Sequence, residues 1–271
     1  MIRLAVRVPS HCAELVLADL LELAPGGVEE AELDGGIVEY AIYGAPGELP
    51  SLGKLQAAVG GSLVEVVSEE LADDWETRWR EFHRPATIGD SLTIRPPWAR
   101  RSRSPVDVVI DPGQAFGTGA HPSTRLCLEL LLELEPTGAF LDLGCGSGVL
   151  GIVAATRGYQ PVMAVDNDPA AIHAAAENAR HNRVEIDIRR HDLRADPVLT
   201  AETVAANLLA PLLLAWADRL AQAPPPRRLV VGGLLTAETT AVSQAFAGHG
   251  LRSMAERSSG DWAALLLAAD P

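Results

Sequence analysis

The residues best placed for ligand chemistry in this 271-residue chain are the glycines of the run Leu-Asp-Leu-Gly-Cys-Gly-Ser-Gly at residues 141–148. The run predicts a strand that leads through a tight turn into a helix. Glycine lets a ligand approach the backbone closely, and the first turn of a helix presents free N–H groups to it. Gly144 and Gly146 are therefore candidate binding residues.

A carboxylate lies at the spacing that nucleotide-binding folds use. Residues 146–151 fit the pattern G-x-G-x-x-G, and Asp166 lies twenty residues beyond Gly146, where a carboxylate can accept two hydrogen bonds from a ribose diol. This spacing predicts an adenosine-containing cofactor without separating NAD from the others. Asp168 precedes Pro169, an arrangement typical of a helix N-cap. We therefore expect Asp166 to be the ligand and Asp168 the cap.

Two further segments are candidates for the same site. Asn207 stands among apolar residues at the predicted end of a later strand. A buried asparagine is costly unless its amide is hydrogen-bonded, and open α/β sheets bind ligands at the carboxyl ends of their strands. Residues 111–124 contain three glycines and two prolines ahead of a predicted helix, which indicates a shaped loop rather than a simple connector.

Nucleophilic and metal chemistry receive less support. Cys145 would lie near a helix N-terminus, where a thiolate is favoured, but no histidine is close to it in sequence. We expect it to be a small residue that fits a cramped turn. No His or Cys pair has metal-ligand spacing, so we predict no metal. The three cysteines lie far apart, as in a reduced cytosolic protein.

The elements that must position these residues alternate from residue 106 onward. Such alternation predicts a parallel sheet with helices on both faces. The predicted strands lie at residues 106–110, 140–143, 162–165, 186–189, 204–206, 229–231 and 263–267. The predicted helices lie at residues 121–134, 149–157, 170–181, 208–220 and 237–248.

The first 70 residues predict a separate small domain. Its elements follow a β-α-β-β-α-β order, which matches the ferredoxin-like motif. Asp34, Gly35 and Gly36 indicate a hairpin between the two middle strands. The predicted strands lie at residues 2–8, 28–33, 37–43 and 63–67, and the predicted helices at residues 10–23 and 48–59.

A linker helix is predicted between the small domain and the larger one. In residues 71–85, Trp75, Trp79 and Phe82 fall on one face of a helix that Pro85 ends. Such aromatic stripes usually pack in a core. The chain therefore divides into a small domain at residues 1–70, a linker helix at residues 71–85 and a large domain at residues 86–271.

Charge and hydropathy narrow the class of partner. The formal net charge is −14, and residues 1–70 hold three basic side chains against twelve acidic ones. An acidic surface does not attract a phosphate backbone, so we expect no nucleic-acid partner, and a basic protein is the better candidate. An alternative explanation is that the negative charge serves only to keep the protein soluble. No apolar run reaches the roughly 18 residues of a membrane span, and we predict a cytoplasmic protein with no membrane contact.

Together these motifs resemble those of the bacterial ribosomal protein L-eleven methyltransferase family. The resemblance rests on the loop Asp-Pro-Gly-x-Ala-Phe-Gly-Thr-Gly-x-His-Pro from Asp111, the run at residues 141–148, residues 165–169 and the Asn-Leu-Leu motif from Asn207. It covers nearly the whole chain. The run Gly-Gly-Leu-Leu from Gly232 departs from the Ser-Gly-Ile-Leu pattern that is common in the family.

The resemblance implies a seven-stranded Rossmann-like α/β domain that binds S-adenosylmethionine, preceded by a small domain that recognises the substrate. It implies methyl transfer to the α-amine and lysine amines of ribosomal protein L-eleven. We expect Asn207 to orient the amine, and we expect a monomer. The positions of this chain that match or adjoin the family's cofactor-contacting residues are Thr124, Gly144, Asp166 and Asn207, with Gly146, Phe116 and Gly117 close by.

Four other functions stay open at this stage. A lysine methyltransferase that acts on another protein would share the catalytic domain, and an NAD-dependent oxidoreductase would share the glycine spacing. A nucleic-acid N-methyltransferase would need an aromatic residue after Asn207 to stack a flipped base, and Leu208, Leu209 and Ala210 supply none. A non-catalytic module would bind a basic partner without S-adenosylmethionine.

Overall fold

The computed structural model describes residues 2–13, 16–17, 20, 28–33, 35–44, 65–70, 84–112 and 119–269. These residues form two compact units, and the second begins at Arg84.

The first unit contains a four-stranded antiparallel sheet. Its strands are β1 (Ile2–Pro9), β2 (Glu29–Leu33), β3 (Ile37–Gly44) and β4 (Glu65–Glu70). They lie in the order β2-β3-β1-β4. The predicted hairpin is confirmed, because Leu33 pairs with Ile37 and the chain turns through Gly35 and Gly36, both with positive φ.

In β1 the charged Arg3 and Arg7 alternate with apolar residues, and in β3 Glu39 stands between Val38 and Tyr40. This is the pattern of a sheet with one face on the core. Val6 and Tyr40 are buried on the core face. On the other face Glu39 is ion-paired with both Arg3 and Arg7. This pairing neutralises two of the few basic residues of the unit.

The other predicted elements of the first unit are described only in part. Ser10–Cys12 form a 3₁₀ turn, and Ala13, Val16 and Leu20 are helical, within the helix predicted at residues 10–23. The strand β4 runs three residues beyond the prediction. The predicted helix at residues 48–59 and the linker helix up to residue 83 lie outside the described residues.

The second unit is built on a seven-stranded sheet. Its strands are β8 (Phe140–Leu143), β9 (Val162–Asp166), β10 (Asp187–Arg190), β11 (Thr203–Asn207), β12 (Arg228–Leu235), β13 (Leu251–Ser259) and β14 (Trp262–Ala269). Its helices are α1 (Pro122–Glu133), α2 (Val149–Arg157), α3 (Pro169–Asn182), α4 (Ala210–Arg219) and α5 (Thr239–Ala247). The strand order is β10-β9-β8-β11-β12-β14-β13.

Two apolar cores cover the two faces of this sheet, as the predicted α/β architecture requires. Phe140 and Ala205 join side chains of α1 and α2 in one core, whereas Leu141 and Val204 join those of α4 and α5 in the other. The strand order reverses between β8 and β11. In open α/β sheets ligands bind at such a switch point, outside the carboxyl ends of the strands.

The prediction of the sheet is corrected in three places. The strand predicted at residues 106–110 belongs to a separate three-stranded sheet, and the last two strands of the large sheet are antiparallel to their neighbours. The strand β13 was not predicted, because it is an edge strand with mostly exposed residues and so lacks an apolar alternation. The small sheet consists of β5 (Ala86–Ile88), β6 (Leu92–Arg95) and β7 (Val106–Val109).

Within the described residues, no helix is both long and apolar enough to cross a membrane.

Candidate functional site

The predicted glycine turn lies at the switch point, between β8 and α2. The backbone N–H groups of Gly144 and Cys145 donate to the Val165 carbonyl at 2.8 and 2.9 Å, which ties the turn to the end of β9. Gly144 has φ +73°, and a Cβ atom there would overlap the Leu208 side chain. A side chain is therefore excluded at Gly144 both by the backbone conformation and by its neighbour.

The carboxylate of Asp166 is held at the end of β9 by two backbone groups. Its Oδ2 accepts a hydrogen bond from the Gly146 N–H and its Oδ1 accepts one from the Asp168 N–H, both at 3.0 Å. The side chain of Asp168 accepts from the Ala170 N–H at 2.8 Å, with Pro169 next in the helix. The predicted N-cap at Asp168 is confirmed, and Asp166 is left as the half-buried carboxylate that faces the glycine turn.

The amide of Asn207 faces α1 from the end of β11. Its Nδ2 donates to the Thr124 hydroxyl at 3.1 Å. Its Oδ1 is buried and has no hydrogen-bond partner among the described residues. A buried acceptor without a partner is unusual in a folded protein and marks a place where a ligand group or water completes the hydrogen bonding.

These elements enclose one small pocket. The predicted site residues from three separate parts of the chain meet there, as expected for a site at a switch point. The pocket is lined by Thr124, Gly144, Cys145, Gly146, Val149, Leu150 and Asn207.

Comparison with known proteins identifies the family. The family model described as "Ribosomal protein L11 methyltransferase (PrmA)" matches residues 49–269. The chain belongs to this family. A ribosomal protein L11 methyltransferase of Chloroflexus aurantiacus is 38% identical over 224 residues, covering 72% of this chain and 68% of the relative. That of Symbiobacterium thermophilum is 33% identical over 260 residues, covering 92% and 84%.

A solved structure of related fold supports the architecture. A ribosomal protein L11 methylase from Lactobacillus delbrueckii matches with a TM-score of 0.62 and 24% identity, over 70% of this chain and all of that one. The resemblance predicted from the motifs is thus confirmed. Membership of the L11 methyltransferase family makes this chain an enzyme that transfers methyl groups, which favours that function over the oxidoreductase and the binding module.

The family-specific loop is described only at its ends. Phe116 and Gly117 lie outside the described residues. Beyond them, His121 caps α1, because its Nδ1 accepts from the Ser123 N–H at 3.2 Å and Pro122 is the first helical residue. The His121 ring also packs edge-on against Trp262, with ring centroids 4.8 Å apart. Burial lowers the pKa of His121 to about 4, so this histidine is neutral at physiological pH.

The nucleophile alternative for Cys145 is not supported by the structure. The thiol is buried, and burial raises its pKa well above the ordinary value. A nucleophilic cysteine requires the opposite shift, because the thiolate is the reactive form. Among the described residues, no group of three or more His, Cys, Asp or Glu side chains could hold a metal ion.

Sequence reasoning did not find the contribution of Gly232, Gly233 and Cys127. The pairing of β12 with β14 shifts register between Val231 and Leu234, so the two glycines form a bulge beside Asn207, a common device next to active sites. A Cβ atom on Gly232 would overlap Cys127 Sγ and lie 3.2 Å from Asn207 Oδ1. The departure from the family pattern at Gly232 thus leaves the space beside Asn207 to Cys127.

Proposed function

We propose that this chain transfers methyl groups from S-adenosylmethionine to the α-amine and lysine amines of ribosomal protein L11. Family membership supports the reaction class. The single observation that carries the site is the arrangement at the switch point: the Asp166 carboxylate and the unpartnered Asn207 Oδ1 lie at the ends of strands on the two sides of β8. Asn207 lines the small pocket there, and Asp166 lies behind its glycine turn.

The residues on the Asp166 side fit the nucleoside part of S-adenosylmethionine. A carboxylate at the end of the second parallel strand suits a ribose diol. The backbone at Gly146 can be approached closely because no side chain stands there. We propose that the cofactor is held by Asp166, Gly144, Gly146, Thr124 and Asn207, with Phe116 and Gly117 of the loop contributing.

The residues on the Asn207 side fit the acceptor amine. When bound, S-adenosylmethionine supplies a methyl group on a positively charged sulfur. The amine must be neutral to attack, and at neutral pH a lysine costs about 3.5 kcal/mol more to deprotonate than an α-amine. Asn207 Oδ1 accepts an N–H of the neutral amine and directs its lone pair at the methyl carbon. As the N–C bond forms, the C–S bond breaks, its electron pair stays on sulfur, and the amine proton leaves to water.

The first unit is proposed to recognise the protein substrate. The strand order β2-β3-β1-β4 supports a ferredoxin-like domain, although its predicted helices fall largely outside the described residues. Arg3 and Arg7 are ion-paired within the sheet, which leaves an acidic unit suited to a basic ribosomal protein. Association with ribosomal protein L11 should therefore slow as salt is added, and salt-independent association rates would contradict this attraction. A cytoplasmic monomer fits the same role.

Intact-mass spectrometry tests the proposal. The protein is incubated with S-adenosylmethionine and, separately, ribosomal protein L11, an unrelated basic protein and ribosomal RNA. Mass increments of whole methyl groups confined to ribosomal protein L11 are expected. Increments on the unrelated protein would favour a broader lysine methyltransferase, and the absence of any increment despite cofactor binding would contradict this substrate.

A further inference from the structure

The Thr124 hydroxyl holds one end of the Asn207 amide and leaves the other end for a ligand. Thr124 is buried in the first turn of α1, and it receives the Asn207 Nδ2–H at 3.1 Å. An asparagine amide has one acceptor oxygen and one donor nitrogen. Because the donor is engaged by Thr124, the acceptor Oδ1 is the end that remains without a partner.

The orientation of this amide decides whether it helps or blocks an amine acceptor. A neutral amine has N–H donors and one lone pair. Facing Oδ1, the amine donates an N–H and keeps its lone pair for the methyl carbon. Facing Nδ2, it would accept a hydrogen bond with the same lone pair that has to react.

The backbone around Thr124 is well anchored. His121 caps the helix through the Ser123 N–H, and Pro122 begins it. The Cys127 side chain, one turn further on, packs above Gly232. Opposite, nothing on β12 projects over Asn207 Oδ1, because Gly232 has no side chain. The hydroxyl of Thr124 is thus held in place, and Asn207 Oδ1, buried beside Gly232 and Cys127, keeps an unfilled hydrogen-bond site.

We propose that Thr124 is a positioning residue for methyl transfer: it fixes the Asn207 amide so that Oδ1 faces the acceptor amine. This inference rests on the proposed function of the site, and it gives Thr124 a role in turnover beyond contact with the cofactor.

The test compares Thr124→Val, which keeps the shape and removes the hydroxyl, with Thr124→Ser, which keeps the hydroxyl. For each variant we measure kcat on ribosomal protein L11 at saturating S-adenosylmethionine. We also measure the Kd of S-adenosylmethionine by calorimetry and the thermal midpoint of unfolding. Thr124→Val should lower kcat about 10- to 100-fold, the cost of a misplaced catalytic group. Because Thr124 is one of several proposed cofactor contacts, the Kd of S-adenosylmethionine should change by a smaller factor than kcat, and Thr124→Ser should restore most of the turnover.

A double-mutant cycle with Asn207→Ala separates the positioning role of Thr124 from any independent role. When one residue acts through another, the effects of the two substitutions on kcat are not additive. In the Asn207→Ala background, Thr124→Val should lower kcat by less than about 3-fold further. Additive losses, or a raised Kd with unchanged kcat, would overturn the role of Thr124 while leaving the proposed function intact. Absence of methyl transfer by the wild-type protein would instead refute the proposed function, and the positioning role with it.

Discussion

The two sides of the switch point hold their functional groups by different means. On one side, the Asp166 carboxylate is fixed by the backbone N–H groups of Gly146 and Asp168. On the other, the Asn207 amide is fixed by a single side-chain hydrogen bond to Thr124. Most substitutions leave a backbone N–H donor in place, whereas a single substitution at Thr124 removes the hydrogen-bond partner of Asn207. Changes on the first side should therefore affect mainly cofactor binding. Changes on the second side, whose residues are also proposed cofactor contacts, should lower turnover more than affinity.

The largest effect is expected for Asn207→Ala. Removing the Oδ1 acceptor should lower kcat on ribosomal protein L11 about 100- to 1,000-fold, the usual loss when one preorganised hydrogen-bonding group is deleted. The Kd of S-adenosylmethionine should change far less. Steady-state kinetics and calorimetry check both values, with Gln244→Ala, an exposed amide on α5, as the control that keeps wild-type turnover. Full turnover with unchanged affinity would contradict the assignment of Asn207.

The complementary change on the other side is Asp166→Asn. The amide has one acceptor oxygen where the carboxylate has two, and it lacks the charge. The Kd of S-adenosylmethionine should rise about 10- to 100-fold, consistent with the roughly 1.5–3 kcal/mol of a hydrogen bond to a charged group. Turnover at saturation should be largely kept.

The matched control for that variant is Asp168→Asn. Asparagine caps a helix as well as aspartate does, so both the affinity and the stability should stay close to wild type. A loss of affinity as large as that of Asp166→Asn would show that the carboxylates act as a charge cluster rather than through one ribose contact.

The bulge at Gly232 lies beside Asn207, and its packing against Cys127 can be tested by measuring stability. Gly232→Ala would place a Cβ atom against Cys127 Sγ, and overpacking of this kind typically costs about 1–3 kcal/mol of unfolding free energy. Denaturant unfolding should show this loss and its partial recovery in Cys127→Ala/Gly232→Ala. Gly233→Ala is the contrasting case, because φ is +74° and the clash is with the Leu208 backbone. If Cys127→Ala rescued both variants equally, the packing argument would be wrong.

A stability effect that depends on pH is expected for Asp142, which ties β8 to the first turn of α2 by accepting the Gly151 N–H at 2.8 Å. Burial raises the pKa of Asp142 to about 7. An acid whose pKa is higher in the folded state makes folding less favourable as pH rises between its unfolded value near 4 and about 7, and has no further effect above that. Relative to Asp142→Asn, the wild-type protein should therefore lose unfolding free energy over this interval. A difference independent of pH would contradict the raised pKa.

Local features of both units follow from short stretches of sequence. The glycine turn, the N-cap at Asp168 and the hairpin at Gly35 and Gly36 all depend on neighbouring residues, since turn conformation and helix caps are decided within a few positions. The same reasoning missed β13, whose exposed edge position leaves no pattern, and assigned residues 106–110 to the wrong sheet. Sheet membership depends on long-range pairing, which a strand pattern does not specify.

The amino-acid sequence by itself determined the α/β class, the strand-to-glycine turn, the candidate carboxylate Asp166 and the candidate amide Asn207. Only the tertiary structure decided what Asn207 contacts. Its partner Thr124 lies 83 residues earlier in the chain, and Gly232 and Cys127 complete its surroundings from a neighbouring strand and from α1. A side chain in a strand points to one face or the other. What it meets there depends on strand order and helix packing, which are set by the folding of the whole domain.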